Sequence, residues 1–330
     1  MGYLGKRILV TGHTGFKGSW LTIWLQKMGA IVDGLSLPGV VSEPNLYTIA
    51  DIHTNRDIRL DLSEQRYWPS DFFDGYDVVF HLAAQPIVSE AYRKPAETFY
   101  ANTVGTLNLL EGIRTHAPTL KVVVVTTDKV YKDTTKPCSE SDSLQGYEPY
   151  SCSKVAVESI VHAYAARYDM QISVGRAGNC IGGGDWGHDR LFPDLVRAFD
   201  SGKHPEIRNH NGIRPWQHVL EPLYGYLLLG EKPRGVYNFG PKSEDERSVD
   251  DVLRYARLCW GETKSSISGT EIVGEANTLR LDSSAAKAIG WGPRWYVEKA
   301  IEKTIEGYKA YYRGYPVRVF MESQIDEYMQ

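Results

Sequence analysis

Cysteine is scarce and unpatterned in this chain: Cys138, Cys152, Cys180 and Cys259 are the only 4 among 330 residues, and no two form a Cys-x-x-Cys pair. Disulfide-built scaffolds are small and cysteine-dense, so free thiols in a reducing compartment are expected, and no metal centre. Long apolar runs are also missing. Stretches such as Val122 to Val125 and Leu227 to Leu229 fall far short of the roughly 20 residues that span a bilayer. Met1-Gly2-Tyr3-Leu4-Gly5-Lys6-Arg7 leads straight into a short apolar strand and not into a secretory leader, so a cytoplasmic protein is expected. An excess of one charge is lacking as well. With 37 Lys and Arg against 41 Asp and Glu, the net charge of -4 gives no reason to expect nucleic acid or an anionic membrane as partner.

What is present is 42% hydrophobic residues, ample for one large domain or two interlocked ones. The first half alternates short β-rich runs with helical patterns, the signature of a parallel sheet covered on both faces. Strands are predicted at 7–10, 30–37, 57–60, 77–82, 121–126 and 171–176. Helices are predicted at 19–28, where Leu21, Trp24, Leu25 and Met28 share one face, and at 95–114 and 150–167. Glycine, proline and tryptophan cluster from Gly178 to Trp216, and helical patterns return at 192–200, 219–230, 249–260 and 297–312. The expected fold is α/β: a Rossmann-type doubly wound parallel sheet over residues 1–176, then a smaller mixed α/β substrate domain over 177–330. The chain is free to cross back between the two.

Three constellations carry chemistry. Gly12, Gly15 and Gly18 lie between the first strand and the first helix, spaced G-x-x-G-x-x-G. Glycines there let backbone approach a pyrophosphate, and the helix N-terminus favours its charge. Tyr150 and Lys154 stand four residues apart, hence on one helix face, where an ammonium beside a phenol stabilises phenolate and equips it to take a proton from an alcohol. Thr126-Thr127-Asp128-Lys129 ends the fifth strand, where open α/β sheets bind ligands, and offers an acid and an amine side by side. Arg190, Arg208 and Arg214 fall near Trp216 and Tyr224, a pairing suited to phosphate forks and base stacking. His81 reads as a packed structural histidine, and His218 is open.

Together these residues resemble the extended short-chain dehydrogenases that modify sugar nucleotides, and within them the CDP-glucose 4,6-dehydratases. The likeness runs through Gly12 to Trp20, His81 to Pro86, Asn102 to Thr106, Thr127 to Lys129 and Tyr147 to Lys154. It continues in Arg176 to Trp186, Ile213 to Pro222 and Asn238 to Pro241. It implies NAD rather than NADP, a nucleotide-sugar substrate, and a homodimer or higher homo-oligomer built on the helices at 95–114 and 150–167. By resemblance the cofactor meets Gly12, Thr14, Gly15, Phe16, Lys17, Gly18, Ser36, Asp61, Leu62, Leu82, Ala83, Ala84, Asn102, Thr126, Tyr150, Lys154 and Arg176. The substrate meets Gln85, Asn179, Arg190, Arg208 and Arg214. Tyr150, with Lys154 and Thr127, would deprotonate the sugar 4-hydroxyl; Asp128 would protonate the leaving 6-hydroxyl; Lys129 would serve at C5.

The chain departs from the family in three places. Ser36 occupies the position of the usual ribose-binding acid at the end of the second strand, with Asp33 three residues too early. The stretch Lys132 to Ser139 lacks the tryptophan-rich pattern common in the family, and the segment before Gln171 is short. The alternatives are a 4,6-dehydratase of another nucleotide sugar, an epimerase or reductase that keeps Tyr150 and Lys154 without needing Asp128 and Lys129, and a cofactor-binding sensor without turnover.

Overall fold

The computed structural model describes residues 2–39, 42–203, 205, 207, 210–232, 234–261 and 279–330. The first half folds as β1 (Arg7–Thr11), α1 (Phe16–Lys27), β2 (Ile31–Ser36), the single turn α2 (Leu46–Ile49), β3 (Asp57–Arg59), β4 (Val78–His81) and α3 (Val88–Arg93). It continues with α4 (Pro95–Phe99), α5 (Gly105–His116), β5 (Lys121–Thr127), α6 (Pro149–Tyr168) and β6 (Ile172–Ala177). The second half contains β7 (Cys180–Ile181), α7 (Leu191–Asp200), β8 (Ile213–Arg214), β9 (Gln217–His218), α8 (Leu220–Leu229) and β10 (Val236–Phe239). β11 (Arg247–Ser248), α9 (Val249–Trp260), α10 (Ser284–Ala288), α11 (Val297–Tyr312) and α12 (Val317–Met329) complete it.

Seven parallel strands form one sheet in the order β10-β6-β5-β4-β1-β2-β3. Alternation along β1 explains how both faces fill: Ile8 and Val10 join a cluster with Trp20, Trp24, Leu227 and Tyr328, while Leu9 joins Leu109, Leu110, Val157 and Val161 on the other side. A third cluster, around Phe192, Leu195, Leu253 and Ile301, is built from the second half, with Ile49 of the first half packed against it.

The predicted first-half elements are present, with two revisions. The helix expected at 95–114 is interrupted by a π-helical turn over Tyr100–Val104. That extra residue per turn points Asn102 inward, where it accepts from the Gln85 backbone N–H at 2.7 Å and donates to Ser153 Oγ at 2.9 Å. The sheet also has a seventh strand that was not predicted, because β10 returns from the second half and pairs with β6. Its four residues, Val-Tyr-Asn-Phe, are too few for a period to be read. α3 and α12 were likewise unanticipated. α12 packs on α1, with the Trp24 and Tyr328 rings 5.6 Å apart. No helix among the described residues is long and apolar enough to cross a membrane.

Candidate active site

The glycine turn is fixed by its own packing. Gly12 holds φ +72°, a left-handed value, and a Cβ there would lie 2.7 Å from the Ala83 backbone nitrogen; a Cβ on Gly18 would lie 2.1 Å from the Gly12 carbonyl. Gly15 is the N-cap of α1, whose first turn has no side-chain cap and no acidic residue. Backbone N–H groups there are therefore left for an anion, and this cradle fits the diphosphate of a dinucleotide.

Around the turn, Ser36 Oγ sits 3.0 Å from His13 Nδ1 and accepts weakly from the Thr14 N–H at 3.4 Å. His13 Nε2 is 3.1 Å from Asp57, and burial lowers its pKa. Thr14 is buried, its carbonyl accepting from Asn45 Nδ2. Ser36 thus braces the turn, while Asp33 is buried between Tyr76, Asn55 and Arg7, and neither offers the turn a free carboxylate. Asp61 accepts from the backbone and hydroxyl of Ser63, Leu62 is buried, and Leu82, Ala83 and Ala84 continue β4 beside Gly12.

His81 is structural. Its Nε2 meets Thr106 Oγ1 at 2.9 Å and its Nδ1 meets Thr11 Oγ1 at 2.7 Å. Thr106 donates to the Asn102 carbonyl, so the network assigns the ring proton to Nε2. Burial pushes the ring down to about 3, so it is neutral. His218 also lies in the core, between the rings of Trp20 and Trp295.

At the end of β5, Thr127 caps a short 3-10 turn over Asp128–Val130, accepting from the Lys129 N–H and donating to Asp128 Oδ1 at 3.1 Å. Asp128 is fully buried, its Oδ2 has no hydrogen-bond partner, and Lys129 Nζ lies 3.8 Å from Oδ1. Burial raises the Asp128 pKa, Lys129 and Thr127 opposing. A carboxyl inclined to keep its proton, with an unpartnered oxygen, is equipped to donate that proton.

Tyr150 occupies the first turn of α6. Pro149 opens the helix, and Glu148 accepts from the Tyr150 and Ser151 N–H groups, both at 2.7 Å, in a reciprocal capping box. Its hydroxyl is raised by burial and pulled down by Lys129, Lys17 and Thr127, in that order. Lys154 Nζ, one turn further into the helix than Tyr150, donates to the Val125 carbonyl at 3.1 Å. Burial, then Lys17, lowers Lys154 to about 8.

Other predicted residues are placed differently. The Arg176 guanidinium is buried against Glu158, Tyr131 and the Glu140 carbonyl. Thr126 Oγ1 also donates to Glu158, at 2.7 Å. Gln85 ties its amide to Thr98 and Ile87. Asn179 Oδ1 is buried without a partner, next to Gly178, where a Cβ would meet Asp128 Oδ2 at 3.0 Å; an unpartnered acceptor beside the acid marks a place for a ligand. Arg190 pairs with Asp185 at 2.8 Å and faces Tyr150 and Tyr308. Arg214 donates to the Ile213 carbonyl, and Arg208 lies outside the described residues. Trp216 is core, not a stacking platform, packed on Phe192 with its N–H on the Arg247 carbonyl. Two residues went unnoticed in the sequence: Glu158, legible at i+4 from Lys154, and Tyr226, 5.9 Å below Lys17, which no local pattern marks.

A parallel sheet with an uncapped glycine turn after its first strand, an acid at the end of its fifth, and a tyrosine and lysine four residues apart on the helix that follows, defines an extended short-chain dehydrogenase. The chain belongs to the NAD dependent epimerase/dehydratase family, whose description matches residues 8–240. It is 39% identical over 350 residues to the CDP-glucose 4,6-dehydratase of Salmonella typhimurium, covering 98% of this chain and 96% of that one. It is 27% identical over 324 residues to the human dTDP-D-glucose 4,6-dehydratase, covering 93% and 91%. Among solved structures, dTDP-glucose 4,6-dehydratase from Bacillus anthracis in complex with NAD superposes with a TM-score of 0.81 at 23% identity, covering 95% and 100%. The UDP-glucuronic acid 4-epimerase of Bacillus cereus does so with 0.83 at 23%, covering 93% and 100%, which makes the fold common to both chemistries.

Proposed function

We propose that the chain is a hydro-lyase that converts CDP-glucose to CDP-4-keto-6-deoxyglucose with a bound NAD, in the cytoplasm. The observation that carries this reading is Asp128: a buried carboxyl with its pKa raised by burial and one unpartnered oxygen, flanked by Lys129, Thr127 and Tyr150. An epimerase needs the tyrosine but no acid for a departing hydroxyl.

The cradle of Gly12, Gly15 and Gly18 fits a dinucleotide diphosphate, with Thr14, Phe16 and Lys17 on the same turn. When bound, the nicotinamide supplies the hydride acceptor for C4 and the donor for C6. Tyr150 takes the proton of the 4-hydroxyl as C4 is oxidised, and the resulting 4-ketone acidifies the C5 proton. Lys129 removes or steadies charge at C5, and Asp128 gives its proton to the leaving 6-hydroxyl, so one water departs with no net oxidation. Asn179, Arg190 and Arg214, with Arg208, hold the nucleotide diphosphate, and Gln85 orients the approach of α3. NAD over NADP is favoured by the relatives, not by Ser36. Residues 1–176 with β10 form the cofactor lobe and the rest of 177–330 the substrate lobe. Two chains associate through α6 and the helical stretch from α4 to α5, where Phe99, Tyr100 and Leu107 are left exposed.

The test is mass spectrometry of the purified protein with NAD and CDP-, dTDP-, UDP- and GDP-glucose in deuterated water. Loss of one water from CDP-glucose, with one solvent deuteron at C5, is expected. Dehydration of a different member moves the specificity to another nucleotide, and no mass change with any sugar overturns the dehydratase.

A further inference from the structure

The reacting groups are shut in. Asp128 is fully buried and Tyr150 is 9% exposed, so no hexose reaches either until something above them moves. What lies there follows from the sheet order. β5, which ends in Thr127 and leads into Asp128, has β4 on one side and β6 on the other, all parallel. The chain leaving β4 runs into α3, and the chain leaving β6 passes through β7 and residues 182–190 to α7. These two segments meet. Ser89 Oγ, in the first turn of α3, donates to Asp189 Oδ2 at 2.5 Å, 100 residues away in sequence. Arg93 Nη2, one turn further along α3, lies 3.6 Å from the same oxygen, while its Nε donates to Glu90 at 2.9 Å. The bridge therefore joins the two flanks of β5 at the carboxyl end, where the acid stands. Residues 187–190 are also held from their root. Asp185 accepts from the Gly187 N–H at 3.1 Å and from Arg190 Nη1 at 2.8 Å, and Trp186 is buried in the core of the second half. Beyond that root His188 is exposed, and Asp189 holds φ +59°, a left-handed value that non-glycine residues rarely adopt. Such a backbone persists only while its contacts hold it.

We propose that residues 187–190 form a strap, fastened to α3 through Asp189, that closes the cleft over the end of β5 and lifts to admit substrate to Asp128 and Tyr150. It rests on the functional reading above only in taking those two as the reacting groups. The fastening suits a gate. A single hydrogen bond and a long, exposed ion pair break without disturbing the core on either side. The rival is a plain staple between the two halves, which adds stability and leaves access to the site as it was.

The experiment measures access to Tyr150 in the purified protein with no sugar nucleotide present. N-acetylimidazole acylates the tyrosine hydroxyls it can reach, and peptide mass spectrometry gives the rate at each one. Tyr3 and Tyr328, buried in the core on α1, report general loosening. Ser89→Ala is expected to raise the Tyr150 rate at least about tenfold, the worth of a hydrogen bond to a carboxylate, with Tyr3 and Tyr328 unmoved. Ser89→Thr keeps the hydroxyl and should restore the wild-type rate. An unchanged Tyr150 rate in Ser89→Ala overturns the proposal and leaves the staple. A rise shared equally by Tyr3 and Tyr328 overturns it too, because the whole fold has then loosened. Should Ser89→Ala not fold, Arg93→Gln is read by the same criteria, with a rise of about twofold. Because no sugar is used, a protein that shows the rise yet dehydrates none of the four sugar nucleotides counts against the dehydratase and keeps the strap.

Discussion

At the scale of single residues, the site depends on which groups hold protons. Burial raises the Asp128 pKa, and Asp128→Asn leaves the shape intact while removing the acid. A fall in kcat of at least about a hundredfold is expected with KM for the nucleotide sugar little changed, and steady-state kinetics checks it. Lys154 is lowered to about 8, so it loses its charge as pH rises through that value. The alkaline limb of activity should therefore fall near pH 8 and shift upward in Lys17→Met, because removing a like charge returns Lys154 towards its ordinary pKa. Most of this chemistry was legible as spacing: Tyr150 four residues before Lys154, and Asp128 beside Lys129 after an apolar run. What could not be read was direction. Whether the Lys154 ammonium faces a phenol or a carbonyl depends on where β5 lies, and no local pattern contains that.

Among the elements, α12 shows how a polar anchor adds to a hydrophobic face. Glu221, in the first turn of α8, is fully buried. It accepts from the Arg294 and Trp295 N–H groups and from the Tyr328 hydroxyl at 2.7 Å. Truncating it leaves buried donors unpaired, so Glu221→Ala should cost about 3 kcal/mol, and Tyr328→Phe about 1 kcal/mol, in urea unfolding. The glycine turn behaves differently, since its constraint is steric. Gly18→Ala must push the Gly12 carbonyl aside, and a loss of about 2 kcal/mol together with cofactor binding is expected, read by calorimetry. Long periodic helices such as α6, α9 and α11 were visible from their faces and caps. α12 went unread although Met321, Ile325 and Tyr328 enter the core at helical spacing, and its tyrosine also meets a carboxylate 107 residues away.

Over the whole molecule, buried titratable groups set the acid tolerance. His81 and His218 are both pushed down to about 3 by burial, whereas in the unfolded chain they take protons near 6.5. Their contribution is complete above about pH 6.5 and is lost as pH falls, until the folded rings protonate near 3. Glu221, raised to about 7, has the opposite sign: ionising it penalises the folded state above that pH, and the penalty fades as pH falls towards 4.5. Urea midpoints between about pH 7 and about pH 5 should therefore decline with fewer than two protons taken up, and Glu221→Gln should steepen the decline. Association is the remaining property at this scale. Leu107→Glu on the exposed face of α5 should give a monomer by light scattering with its thermal unfolding otherwise preserved.

The return of β10 to the sheet matters most during synthesis. β6 is complete at Ala177, but the strand that covers its outer edge ends only at Phe239. While the intervening residues leave the ribosome, the nascent sheet carries an unpaired edge of Val174, Gly175, Arg176 and Ala177, the kind of template that captures other chains. Codon choices that slow translation between Gly178 and Phe239 prolong that exposure, and they should lower the soluble yield of a protein whose finished form is unchanged.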